Sequence, residues 1–95
     1  MKKYLIVIEK ADHSYSAFSP DLPGCITVGA TVDETISFIK EAIELYLEAV
    51  AEEGEAVPVS RGLRHHIEQG IFDEEQVAEE YYIAQVEVQL PKAAA

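Results

Sequence analysis

Carboxylates dominate the side chains that could do chemistry. Asp and Glu number 18 against 7 Lys and Arg, giving a formal net charge of −11 at pH 7. Glu41, Glu44, Glu48 and Glu52 share one face of an expected helix, with Lys40 the only base nearby. Like charges four apart, Glu44 with Glu48 and Glu48 with Glu52, each cost about 0.2–0.5 kcal/mol. Negative charge near a helix C-terminus also opposes the dipole. A solvated face accounts for such a stripe. The functional reading is a docking surface for a basic protein, whose Lys or Arg relieve the repulsion.

A two-metal hydrolase needs acids converging from strands into a cleft. The first strand offers only Glu9, near its end, and most other acids lie on helices or in turns. No catalytic set and no metal-ligand set is therefore expected. His65 and His66 are adjacent, so on a helix they diverge by about 100° and cannot share a metal as an i, i+4 pair does. Both are expected to face solvent, as is His13 in a turn. Cys25 is the single cysteine. It cannot form an internal disulfide, which suits a reducing cytosol. Placed in a strand without a neighbouring His, it reads as a buried or half-buried structural thiol rather than a nucleophile. No GxGxxG, P-loop, CxxC or GxSxG motif occurs, and no cofactor is expected.

The elements that must hold these residues follow from periodicity. Residues 4–10 are apolar on both alternating faces, the pattern of a strand covered on both sides and central in a sheet. A short polar link leads to a return strand at 15–19. Pro20, Asp21, Leu22, Pro23 and Gly24 interrupt it, since each Pro removes a ladder donor. A third strand is expected at 25–30. Thr31 with Glu34 forms a capping box, and the helix runs to Glu53 with Gly54 as its left-handed stop. Its apolar residues form two stripes. Ile36, Ile39, Ile43, Tyr46, Leu47 and Val50 should lie on the sheet. Phe38, Ala42, Leu45 and Ala49 are displaced around the helix and need a separate cover. The chain's own C-terminal segment is the expected cover, with a second subunit as the alternative.

Residues 61–69 can form a short helix with Leu63 and Ile67 inward, ended by Gly70. Asp73 with Gln76 opens a further turn or two through Glu80, and residues 81–90 alternate as a half-exposed strand. At 95 residues a single domain is expected, over residues 1–91, with 92–95 a frayed tail. The fold class is α+β, a small antiparallel sheet in βββαβ order with one long helix on a face. The acidic balance argues against unaided nucleic-acid binding and against an anionic membrane surface. The apolar run at 4–8 is too short for a signal-peptide core or a membrane span, so a cytoplasmic protein is expected.

The segment 15–29, Y-x-A-x-x-P-D-L-P-G-C-x-x-x-G, resembles the HicB-like antitoxin family. The helix T-x-D-E-T-I-S-F-I-K-E-A-I-E-L-Y-L-E and the following turn with Val57-Pro58 extend the resemblance over about the first 58 residues. It implies a partial RNase H-like fold without that enzyme's catalytic acids. It also implies a non-enzymatic role, binding a small basic RNA-cleaving toxin of the HicA type and occluding its catalytic surface. Many members carry a C-terminal DNA-binding domain; none is expected in this sequence, and an insertion is expected at 61–80. The expected partner-binding residues are Asp21 and Leu22 on the Pro-flanked loop and Glu41, Glu44 and Glu48 on the helix. Leu22 reads equally as an anchor in the core. The competing readings are a free-standing homo-oligomer, most simply a dimer, binding an unknown ligand, and an enzyme retaining RNase H-like hydrolysis.

Overall fold

The computed structural model describes residues 2–72 and 80–90. Six elements follow one another: β1 (Lys2–Lys10), β2 (Tyr15–Phe18), β3 (Ile26–Gly29), α1 (Val32–Glu52), α2 (Leu63–Glu68) and β4 (Tyr81–Val88). The strands form one antiparallel sheet in the order β3-β2-β1-β4. The α+β expectation holds, with β1 central and Tyr4 through Ile8 buried. Tyr4, Ile6 and Ile8 face α1 and join Ile39, Ile43, Leu47, Val86 and Val88 in the main core. Leu5 and Val7 are buried on the opposite face. That division follows from the two-residue period of a strand.

Element ends differ from the periodicity by a residue or two, each for a local reason. β1 starts at Lys2 because it pairs there with Val88. Ser19 and Cys25 leave the strands for the loop, whose backbone closes through Leu22 N–H to Ser19 O (3.0 Å) and Cys25 N–H to Leu22 O (3.0 Å). Gly24, at φ +86°, supplies the left-handed residue that closure requires. The Ser19 hydroxyl donates to Leu5 O at 2.9 Å and ties the loop's base to the central strand.

α1 begins as its cap predicts, with Glu34 N–H donating to Thr31 Oγ1 at 3.1 Å. The reciprocal arm closes one residue early, since Glu34 Oε1 accepts from Ala30 N–H at 3.4 Å. At the other end Glu55 N–H bonds Val50 O and Gly54 N–H bonds Ala51 O, the paired geometry of a helix stopped by a left-handed glycine. The buried stripe is Thr35, Ile39, Ile43, Leu47 and Val50, with Ile36 and Tyr46 half-buried beside it. Thr35 was not expected there. A side chain on Gly29 would meet it, with a Cβ only 2.4 Å from Thr35 Oγ1, so helix and strand approach as only glycine allows. The Thr35 hydroxyl is satisfied by donating to Thr31 O at 2.7 Å.

The second stripe corrects another expectation. Phe38 is 41% exposed and Leu45 60% exposed, so the described part of the C-terminal segment does not cover them. The described part of that segment lies on the helix's other flank, where Gln89 N–H donates to Glu44 Oε2 at 3.1 Å. The Asp73–Gln76 box and the 92–95 tail fall outside the described residues.

Candidate functional site

The loop between β2 and β3 is locked from both sides. Leu22 is fully buried and sits in the core cluster. Its neighbour Asp21 turns inward, with its side chain only 2% exposed. Asp21 Oδ1 accepts from Arg61 N–H at 3.1 Å and lies 2.9 Å from His66 Nε2. A carboxylate oxygen only accepts, so Nε2 carries the bridging proton. His66 is thus buried and committed, which overturns the expectation that both histidines face solvent. The physical reason is helix phase. Leu63 and His66 share one face at i and i+3, and α2 turns that face toward the loop, whereas Ile67, expected inward with Leu63, is 50% exposed. The leucine-to-histidine spacing was a signal available in the sequence. The acid 45 residues away that receives the imidazole was not.

Asp21 Oδ2 is enclosed and has no hydrogen-bond partner among the described residues. An unpaired buried oxygen is costly, so the two bonds at Oδ1 must hold the carboxylate in place. The influence of Asp21 extends to Tyr4, whose hydroxyl donates to Pro58 O at 2.7 Å. Burial pushes the Tyr4 pKa up, the Asp21 carboxylate adds to the rise, and Tyr46 adds last. Tyr4 and His66 therefore staple the 58–66 stretch to the central strand and to the loop. Cys25 closes the loop as the buried thiol expected, though one residue before β3 rather than within it, and burial pushes its pKa up.

The helix acids behave differently. Glu41, Glu48 and Glu52 are exposed, and Glu44 is half-buried against Gln89. The expected partner-binding residues therefore divide. Asp21 and Leu22 point into the molecule, while Glu41 and Glu48 point away from it. No group of three or more His, Cys, Asp or Glu among the described residues is placed to hold a metal ion. No helix among them is long and apolar enough to cross a membrane.

This is the architecture of the HicB antitoxin N-terminal domain: a small four-stranded antiparallel sheet with a helix, α+β. The crystal structure of that domain from Burkholderia pseudomallei superposes with a TM-score of 0.75 at 26% identity, covering 94% of this chain and 100% of that one. The chain belongs to the family described as HicB-like antitoxin of bacterial toxin–antitoxin systems, whose model matches residues 4–92. The antitoxin fold is also similar in a solved HicA3–HicB3 toxin–antitoxin complex, with a TM-score of 0.70 and 25% identity over 93% of this chain and 99% of the matched chain. An uncharacterised 14.9 kDa protein from the rep-hol intergenic region of Haemophilus phage HP1 is 38% identical over 66 residues, 70% of this chain. The match covers about half of that phage protein, 50% of its length.

Proposed function

We propose that this protein neutralises a small basic RNA-cleaving toxin of the HicA type by docking the acidic face of α1 over it. The similarity to a chain of the HicA3–HicB3 complex, across 93% of this sequence, carries the reading. The net charge of −11 supports it, because an acidic surface steers a basic partner into encounter. Glu41, Glu44 and Glu48 are the charged contacts. Asp21 and Leu22 take part by holding the Pro20–Gly24 turn rigid, which lowers the entropy lost when a partner binds it. The action is occlusion rather than catalysis. The test is growth: a HicA-type toxin encoded beside this reading frame is expressed alone and then with the protein. Restored growth together with a co-eluting complex supports neutralisation. Persistent toxicity with a folded protein and no complex overturns it.

A second reading rests on the exposed Phe38 and Leu45. Here the protein self-associates, most simply as a dimer, with or without a cognate toxin. Light scattering at micromolar concentration tests it, and a monomer mass overturns it.

A further inference from the structure

We propose that the edge of β4 takes up an extended segment of the basic partner as an added strand, with Lys or Arg at alternate positions facing α1. The inference rests on the toxin-docking reading above and adds the backbone surface that completes it.

β4 is an edge of the sheet among the described residues, and its hydrogen-bonding phase is fixed. Lys10 N–H bonds Glu80 O at 2.9 Å, one step beyond the Glu9–Tyr81 pair of the register. By the alternation of an antiparallel ladder, Tyr82, Ala84, Val86 and Val88 then bond inward to β1. The N–H and C=O groups of Ile83, Gln85 and Glu87 point outward, unpaired among the described residues. Gln89 is next in that outward series, and its N–H donates to Glu44 Oε2 at 3.1 Å. A helix carboxylate thus stands where the carbonyl of a neighbouring strand would stand. Open edges recruit other chains, and natural sheets guard them with Lys or Pro. Residues 81–88 contain neither.

The same bond sets the acidic flank of α1 above the end of this edge. Glu44 and Glu48, with Gln89 and Leu90, line a cavity of about 260 Å³ between the helix and the end of the strand. In a strand added to β4, alternate side chains rise on the α1 side of the sheet. The others lie beside Ile83, Gln85 and Glu87, which are exposed on the opposite face. A Lys or Arg on the α1 side, next to Val88, reaches the cavity and meets both glutamates. It relieves the repulsion between two like charges four residues apart. Main-chain bonds to the edge supply affinity, and the cavity selects a basic side chain, the division of labour in strand addition. A second copy fits this edge poorly. It sets two chains of net charge −11 side by side, and its β4 offers the cavity no Lys or Arg.

Amide hydrogen exchange of the full chain, read by NMR with and without the HicA-type toxin of the growth test, checks this edge. In the free protein the Ile83, Gln85 and Glu87 amides are expected to exchange fast, and those of Ala84 and Val86 slowly. Toxin binding is expected to slow the three outward amides at least tenfold. Gln85→Pro removes the central outward donor and no bond to β1, a place where edge strands tolerate proline. It is expected to weaken the complex at least tenfold, with circular dichroism checking the fold. Should that variant misfold, the exchange pattern alone decides. Outward amides that stay fast in the complex overturn the inference, as does full-strength binding by folded Gln85→Pro. Either result leaves neutralisation standing. Slow outward amides in the free protein, where light scattering gives a dimer, assign the edge to a second copy and also overturn it. No complex with the wild-type protein overturns both readings.

Discussion

The Pro20–Gly24 loop and the outer face of α1 put the same side chains to opposite uses. In the loop, Asp21 is folded under the surface against His66 and the Arg61 backbone. On the helix, Glu41 and Glu48 stand in water, four positions or fewer from other glutamates. A buried carboxylate is expensive unless its bonds are made, so its value is structural and its loss is felt in stability. An exposed carboxylate interacts through high dielectric, so its value is in long-range steering and its loss is felt in kinetics. The number of acids in the sequence therefore says little until their burial is known.

The most damaging substitution should be the one that empties the loop's anchor. Leu22→Ala is expected to lower unfolding stability by about 2–5 kcal/mol, through lost burial and a residual cavity. Urea denaturation would read this as a lower midpoint at unchanged slope. A loss below about 1 kcal/mol would mean that the site collapses and the loop is not anchored by Leu22.

His66→Ala comes next, at about 3 kcal/mol, because it strips a charged hydrogen-bond acceptor of a buried partner. His65→Ala is the control on the adjacent residue, and it should cost well under half as much. Equal effects for the two histidines would erase the contrast between the bonded, buried His66 and the half-buried His65 beside it.

Glu44→Gln with Glu48→Gln should leave the fold intact and raise stability by only a few tenths of a kcal/mol, by easing like-charge repulsion. Its signature is kinetic: slower association with a HicA-type toxin at low salt, and a flatter salt dependence. Glu44→Gln keeps an oxygen to accept from Gln89 N–H, so the helix flank stays in place. Association rates that do not change at low salt would reduce the stripe to a solvated face.

The smallest expected signals are absences. Burial raises the Cys25 pKa, so at neutral pH thiol reagents should modify it far more slowly in the folded protein than in urea. Fast native-state modification would place Cys25 at the surface. RNA incubated with the protein and Mg²⁺ or Mn²⁺ should remain uncut. Cleavage abolished by Glu9→Gln would return hydrolysis to consideration and end the division of the acids into anchors and steering groups.

Local chemistry carried most of the architecture. Strand alternation placed β1 at the centre, because only a strand covered on both faces is apolar in both registers. Thr31, Glu34 and Gly54 marked the two ends of α1, because caps are satisfied by residues within a turn of the terminus. The motif around Pro20 and Gly24 pointed to the family, and the family model confirms it over residues 4–92. Two outcomes belonged to the tertiary structure alone. The His66–Asp21 bridge joins residues 45 apart, and no local pattern encodes which imidazole meets which carboxylate. The fate of the second α1 stripe was equally open. Periodicity showed that Phe38 and Leu45 needed a cover, but the route of the chain after α1 decided that the described C-terminal strand would lie along the other flank. Spacing along a chain determines which faces an element has, whereas packing between distant elements decides what each face meets.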